Sequence, residues 1–535
     1  MLFNSLQFLL FFPAVTLIYF LIPMKIRYLW LLAASYYFYM GWNARYALLL
    51  LTSTLVTYLS GILLEAVSGK VKAETEEDEL EKKAAGGATE RGQEKEAAGG
   101  MTEGRQADSR SAERELLRKL IVAGSFAINL GILFFYKYYQ FATDILVRLF
   151  ARMRIGLIVP RFDVLLPVGI SFFTFQALSY TADVYRGEIY AEKNFFRYAL
   201  YVSFFPQLVA GPIERSKNLL RQLAKPSGFQ FEKAREGLLL MLWGYFLKIV
   251  LADRISIVVD TVYENHTQYK GWFLIVATVL FAIQIYCDFA GYSTIAIGAA
   301  EILGVDLMKN FDAPYTARSV AEFWRRWHIS LTSWFRDYVY IPLGGNRKGT
   351  ARKWVNRIAV FFLSGLWHGA SFHFVAWGLL NGLYQVIGEI LLPVREKAVR
   401  LLRLHPSTIG FRLYRTAFTF ILVDFSWIYF RADSLKTAHA VMSSIIHADN
   451  PWILFDGSLY QLGMDEKNFR MMLLCIALLI AVDLCSRLGI FVRKILLRQD
   501  YPVRWMVFVV SVIFILVFGM WGTQYDANSF IYFQF

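Results

Sequence analysis

The residue with the clearest potential for chemistry is His368, in the string FFLSGLWHG at residues 361–369. An imidazole titrates near ~6.5, so it can take a proton from an attacking hydroxyl and return it to a leaving group. Gly365 and Gly369 leave space beside the ring and allow helices to approach closely. His373 follows at a spacing that differs from the i, i+4 pair of a helical zinc site, so we predict no metal site. For a lone histidine a structural bond to a carbonyl is the more usual role, and the surrounding motifs favour proton transfer instead.

A second aromatic and polar cluster lies at residues 320–339, where the spacing predicts one amphipathic helix. Trp324 and Trp327 fall on its aromatic face, whereas Arg325 and Arg336 belong to a polar strip. His328 lies at the border between the two. A hydrogen bond that anchors the helix and a direct chemical role both stay open for this histidine. The turn that follows the helix contains Asn346.

Two further segments place polar groups inside apolar sequence. Asp288 lies in QIYCDFAGY and could pair with an arginine or accept from a backbone amide in a packed network. The string FFPQLVAGPIER at residues 204–215 predicts a broken helix. Unwound backbone at membrane depth is tolerated where it lines a cavity, so this segment could shape a substrate path.

These residues lie within or between predicted membrane helices. The 535 residues are 56% hydrophobic and only 18% charged, with a net charge of +14. A span needs about 20 mostly apolar residues, and the apolar blocks suggest about nine to twelve segments, some kinked or re-entrant. The basic residues lie between these blocks and form no compact domain, which argues against nucleic-acid binding. The sequence therefore predicts an all-α, multi-pass integral membrane protein.

One charged segment interrupts the apolar pattern and divides the chain into three parts. We predict N-terminal transmembrane helices at residues 1–65, a low-complexity insertion at 66–117 and a catalytic membrane core at 118–535. The insertion is rich in Glu, Lys, Ala and Gly, so we expect it to be disordered or partly helical. Lysines and arginines flank it, which places it in the cytosol.

Five long strings together resemble the membrane-bound O-acyltransferase family, and within it the bacterial branch that is similar to alginate O-acetyltransferases. They are VGISFFTFQALSYTADVYRG, FFPQLVAGPIER, QIYCDFAGYSTIAIGAAEILG, EFWRRWHISLTSWFRDYVYIPLGGNRKG and GLWHGASFHFVAWGLLNG, with the terminal FIYFQF in addition. The resemblance implies that His368 is the essential histidine and His328 the second one. It also implies a ring of tilted and re-entrant helices around a funnel or tunnel.

The resemblance further implies how the reaction is organised. An acyl donor, acetyl-CoA, enters from the cytosol as a co-substrate, and no cofactor stays bound. The acetyl group passes through an extracytoplasmic acyltransferase partner of the SGNH type to an exopolysaccharide or cell-wall glycan. The chain is expected in the bacterial cytoplasmic membrane. The residues expected to line the tunnel or bind substrate are Trp367, Trp324, Trp327, Arg325, Arg336, Asp288 and Asn346.

Three other functions stay open. D-alanyl transfer from a carrier protein to teichoic acid belongs to another branch of the same family, and lipid acylation is a further possibility within it. A transporter or polysaccharide conduit without chemistry is the alternative from a different class. Transporters often contain paired broken helices in two halves, and the sequence offers one such segment, at residues 204–215.

Overall fold

The chain is helical throughout the residues that the structure describes. The computed structural model describes residues 1–85, 99–162, 166–521 and 531, with the backbone alone at 69–85 and 99–110. Those ranges contain no strand, which confirms the predicted all-α class. The α-helices, in chain order, are α1 (Leu6–Leu21), α2 (Arg27–Met40), α3 (Tyr46–Ala85), α4 (Gly99–Leu133), α5 (Tyr139–Arg152), α6 (Ile170–Tyr185), α7 (Phe195–Ser203), α8 (Phe205–Leu208), α9 (Ser216–Ala224), α10 (Phe231–Tyr245), α11 (Asp253–Glu264), α12 (Trp272–Ile302), α13 (Val320–Arg326), α14 (Ile329–Phe335), α15 (Thr350–His368), α16 (Phe372–Ile390), α17 (Leu392–Leu401), α18 (Ile409–Arg431), α19 (Leu435–Ile446), α20 (Glu466–Arg487), α21 (Val492–Leu497) and α22 (Tyr501–Phe518).

Several of these helices are long and apolar enough to cross a membrane. Within the described residues there are five, and a sixth if the pair α16 and α17, bent by 52°, is one span. The number is lower than the nine to twelve suggested by the sequence, and one further apolar helix, Leu6–Leu21, is shorter than these spans. The predicted segment at 238–259 runs from α10 through a π-helical turn at Phe246–Ala252 into α11 and is not among the spans. The five spans are Tyr46–Ser68, Ser111–Arg152, Trp272–Ile302, Glu466–Arg487 and Tyr501–Phe518.

Helices α10 and α12 cross closely, because glycines bring the two backbones together. A Cβ added at Gly244 would lie 2.7 Å from the carbonyl oxygen of Gly291, and one at Gly298 would lie 2.4 Å from that of Gly237. Small residues permit this close packing between membrane helices. Most of α12 is buried, whereas within α22 only Ile515 is buried.

The predicted break at residues 204–215 is confirmed. Helix α7 ends at Ser203, the four-residue α8 follows, and non-helical backbone continues until α9 begins at Ser216. This segment is buried although it is irregular. Its position inside the protein agrees with the rule that irregular backbone at membrane depth must be shielded from lipid.

The insertion is helical at both ends. Helix α3 continues to Ala85 and α4 begins at Gly99, so the boundaries predicted at 65 and 117 both fall inside continuous helices. The expectation of disorder for its middle, 86–98, lies outside the described residues. The end of the predicted insertion, residues 99–117, therefore lies within α4.

Candidate active site

His368 is the last residue of α15, at the sharp turn into α16. The two helices cross so closely that a Cβ on Gly365 would lie 2.3 Å from the carbonyl oxygen of Phe374. The same distance separates a Cβ on Gly378 from the carbonyl oxygen of Phe361. The predicted close approach at Gly365 is therefore confirmed. This crossing holds the C-terminal turn of α15, and with it the imidazole, inside the helical assembly.

Aromatic rings enclose the His368 side chain, which is only 4% exposed. Its ring centroid lies 4.9 Å from that of Trp367, 5.0 Å from Trp377 and 5.2 Å from Phe430. All three rings are steeply inclined to the imidazole, which is a favourable edge-to-face geometry. These walls restrict the orientation of the imidazole.

A cavity borders His368 and Trp367, with about 460 Å³ of empty space including its open mouth. The N-terminal turn of α6 forms the opposite wall. Gly169 has φ +74° just before this helix, and a Cβ there would lie 2.6 Å from the carbonyl oxygen of Leu208. The broken segment after α7 thus supports the wall and contributes Val209 to it. The other residues that line the cavity are Lys137, Leu166, Pro167, Val168, Ile170, Ser171 and Phe172.

Lys137 is a cavity residue that the sequence did not single out. It lies in a π-helical turn, Phe134–Tyr138, between α4 and α5. Its Nζ donates to the carbonyl oxygens of Trp367 at 2.7 Å and His368 at 3.1 Å. The neighbouring Tyr138 hydroxyl donates to the carbonyl oxygen of Leu366 at 2.8 Å. The available signal was one lysine deep in a long apolar stretch, a position where ionisable residues are usually functional.

His328 lies behind Trp367 and not on a helix surface. The prediction of one continuous helix at 320–339 is wrong, because α13 ends at Arg326 and α14 begins at Ile329. His328 occupies the break with φ +44° and ψ +54° and is 1% exposed. Its ring centroid lies 5.8 Å from that of Trp367. Trp367 therefore contacts both histidines.

Asn310 explains why the helix is interrupted at this point. The Ile329 amide donates to the Asn310 carbonyl oxygen at 2.9 Å, so it is satisfied outside the helix. The Ser330 hydroxyl donates to the Asn310 side-chain oxygen at 2.6 Å, and Asn310 in turn donates to Ser293 on α12 at 3.0 Å. These contacts are distant in sequence, and no local pattern around Asn310 predicts them.

Trp324 and Trp327 form a layer outside the rings that touch His368. Trp324 donates its indole N–H to Asn381 at 3.2 Å, and its centroid lies 5.6 Å from that of Trp377. Trp327 is 5.1 Å from Trp427, between centroids. Neither lines the cavity beside His368. Their predicted role as substrate walls stays a prediction, and their contacts support the walls that do touch the imidazole.

The remaining predicted site residues lie elsewhere. Arg325, Arg336 and Asn346 are exposed. Arg336 donates to Asp337 at 2.7 Å, and Asn346 accepts from the Tyr340 hydroxyl. Their roles also stay predictions.

Asp288 is buried and paired with Lys248, with 2.6 Å between the carboxylate oxygen and Nζ. It also accepts from the Ile531 amide at 2.8 Å. Its predicted place on the tunnel wall stays a prediction. The described residues contain no group of three His, Cys, Asp or Glu placed to hold a metal ion.

The family model for membrane-bound O-acyltransferases matches residues 129–423, a range that contains both histidines, the cavity and the helix crossing. The chain belongs to the membrane-bound O-acyltransferase family. It is 34% identical to a probable alginate O-acetylase of Pseudomonas putida over 82% of this chain and 79% of that protein. It is 33% identical to a peptidoglycan O-acetyltransferase of Helicobacter pylori over 53% of this chain and 57% of that protein.

A teichoic acid D-alanyltransferase of Bacillus subtilis is more distant, at 28% identity over 40% of this chain and 57% of that protein. The chain is accordingly a multi-pass membrane enzyme that transfers acyl groups to oxygen. The similarity to the alginate O-acetylase extends well beyond the matched family region, because it covers 441 residues.

Proposed function

We propose that this enzyme transfers an acetyl group from acetyl-CoA in the cytosol towards an extracytoplasmic polysaccharide or cell-wall glycan, with His368 as the general base. An SGNH-type acyltransferase outside the membrane is the proposed partner that completes the transfer. The observation that carries the proposal is the position of His368 at the edge of a cavity between membrane helices. The extent of the similarity to an alginate O-acetylase supports an acetyl group and a polysaccharide acceptor.

In the proposed reaction the imidazole takes the proton of an acceptor hydroxyl while the hydroxyl oxygen forms a bond to the acyl carbon. The carbonyl electron pair moves onto oxygen and then re-forms the carbonyl as the carbon–sulfur bond breaks. The leaving thiolate then takes up the proton that the imidazole accepted from the hydroxyl. General-base assistance of this kind contributes about 10²–10⁴-fold, and positioning contributes further.

Helix α6 relates the cavity to the two membrane faces. Its N-terminal turn lines the cavity, and the carbonyl oxygen of Tyr185 at its other end accepts from Arg118, which follows the insertion. Sixteen helical residues span about 24 Å. If the insertion is cytosolic, as its flanking basic residues predict, the cavity lies towards the extracytoplasmic side. That orientation suits an acceptor outside the cell.

D-alanyl transfer is the less favoured alternative, because the D-alanyltransferase similarity covers only 40% of the chain and the alginate O-acetylase similarity covers 82%. A passive conduit would not need a histidine enclosed by aromatic rings at the edge of its cavity. The two alternatives predict different losses in cells, so one variant separates them.

The test replaces His368 with alanine in the producing cells and measures base-releasable acetate and D-alanine on the surface glycan. We expect acetate per sugar to fall to background while D-alanine and the amount of exported glycan stay unchanged. Equal amounts of protein in the membrane are required for the comparison. Unchanged acetate would contradict the role of His368, lost D-alanine would favour the rival branch, and lost glycan export would favour a conduit.

A further inference from the structure

Lys137 is an ionisable residue inside a membrane span, and the proposed reaction leaves it without a role. It lies within the continuous 42-residue helical span Ser111–Arg152. Placing a cation in a membrane span is costly, and such residues usually face the protein interior or a water-filled cavity. Lys137 faces the protein interior, because it contacts α15, and it also lines the cavity beside His368.

The contacts of Lys137 with α15 engage two of its three N–H groups. Both acceptors, the carbonyl oxygens of Trp367 and His368, lie at the C-terminal end of α15, where the helix dipole favours a positive charge. The Trp367 ring lies below the ammonium, with 6.0 Å from Nζ to its centroid. In the part of the chain that the structure describes, Nζ makes no third hydrogen bond.

Tyr138 provides an internal comparison at the same helix end. Its hydroxyl donates to the Leu366 carbonyl oxygen at 2.8 Å, so it too anchors the last turn of α15. Tyr138 is absent from the cavity wall, however, whereas Lys137 is part of it. Anchoring of α15 therefore does not require a cavity residue, and the placement of the ammonium calls for a different explanation.

We propose that Lys137 is a catalytic residue that donates its third N–H to the carbonyl oxygen of the acyl thioester. As the acceptor oxygen adds to the carbonyl carbon, negative charge develops on the carbonyl oxygen, and the ammonium stabilises it. When the carbonyl re-forms and the carbon–sulfur bond breaks, the electron pair leaves on sulfur, and Lys137 keeps its proton throughout. The proposal rests on the proposed acyl transfer at His368.

The test measures CoA release from acetyl-CoA in membranes of the producing cells, which retain the partner and the glycan. The variants are K137M, K137Q, K137R and, as the matched control, Y138F. Removal of one oxyanion donor lowers turnover by about 10²–10³-fold. We expect losses of that size in kcat for K137M and K137Q, with KM for acetyl-CoA within about threefold of the wild type.

K137R retains a cation and N–H donors, so it should be more active than K137M. Y138F should lose less than about fivefold in kcat, because it removes a hydrogen bond to α15 and no cavity donor. Unfolding temperatures measured on the same preparations correct each rate for folded protein. The proposal is overturned by K137M turning over within threefold of wild type, by an increase in KM alone, or by equal losses in K137M and Y138F.

H368A, measured in parallel, separates this proposal from the one on which it rests. If H368A is inactive and K137M is active, only the role of Lys137 fails. If H368A is as active as the wild type, or if the wild type releases no CoA from acetyl-CoA, the proposed function fails first.

Discussion

Two polar centres lie inside the membrane part of this enzyme, and they are built in opposite ways. In the first, His368 is surrounded by aromatic rings and borders a cavity. In the second, Lys248 lies between two carboxylates, with Nζ 2.8 Å from Asp253 and 2.6 Å from Asp288. In the second centre one ammonium faces two carboxylates, whereas in the first the imidazole borders open space.

Both centres depend on glycines that bring neighbouring helices into contact. A Cβ at Gly291 would lie 2.9 Å from the backbone nitrogen of Lys248, and one at Gly365 would lie 2.3 Å from the Phe374 carbonyl oxygen. Close packing therefore does not distinguish a chemical site from a structural one. The difference lies in what the polar atoms face, which is each other in the ion cluster and open space beside His368.

The largest stability effect should follow from removing Asp288. In Asp288→Asn, Lys248 keeps Asp253 as a counter-charge, but the charge-assisted hydrogen bonds to Lys248 and the Ile531 amide are lost or weakened, and each contributes about 1.5–3 kcal/mol. We expect a much lower unfolding temperature, with kcat per folded molecule within about threefold of wild type. Thermal unfolding in detergent and CoA release on the same sample measure both quantities.

Asp306→Asn is the control for this variant, because Asp306 pairs with Lys233 at 2.9 Å but is 66% exposed. Exposed pairs contribute about 0–1 kcal/mol, so its unfolding temperature should change little. A loss of kcat in Asp288→Asn without a loss of stability would contradict a purely structural role for the ion cluster. It would support the predicted position of Asp288 on the substrate path.

An intermediate effect is expected at the helix crossing that holds His368. In Gly365→Ala the new methyl would collide with backbone of α16, and such overpacking costs about 1–3 kcal/mol. Because the last turn of α15 must shift, kcat should fall by about 10²-fold even in folded protein. Gly388→Ala on α16 is the matched control, since nothing lies within 4 Å of its added Cβ. If the two variants were equally active, the crossing would not position His368.

The smallest effect is expected where a polar group is neither buried nor beside the cavity. Arg336 is 63% exposed and already bonded to Asp337. We expect Arg336→Ala to raise KM for acetyl-CoA by about threefold or less, with the effect declining as salt is added. The KM measured at low and high ionic strength checks this. A tenfold or larger increase would instead support the predicted contact between Arg336 and the donor phosphates.

The fold was predictable wherever hydrophobicity alone determined the outcome. The all-helical class and the break at 204–215 follow from apolar blocks and their interruption by Pro206 and Gly211. The helix break at His328 was not predictable, because it depends on Asn310, a residue distant in sequence that satisfies the freed Ile329 amide. Helical periodicity cannot reveal a tertiary partner that competes with the helix for its own hydrogen bonds.

The site was predictable only where its residues lie close together in sequence. His368, Trp367 and Gly365 are adjacent in sequence, so their clustering was visible before the structure. Lys137 reaches the same place from a different span, and the cavity wall at Gly169 comes from yet another helix. Asp288, like His368, is a polar residue inside apolar sequence. The structure distinguishes the two, because the Asp288 carboxylate pairs with Lys248 whereas His368 borders a cavity.

The most direct test of His368 as the general base is the turnover of His368→Ala measured per folded molecule. CoA release from acetyl-CoA is compared with wild type in preparations whose unfolding temperatures agree within a few degrees. If His368 is the general base, kcat should fall by at least about 10²-fold, with partial recovery on addition of free imidazole to the space left by the side chain. A folded His368→Ala protein with kcat within threefold of wild type would contradict it.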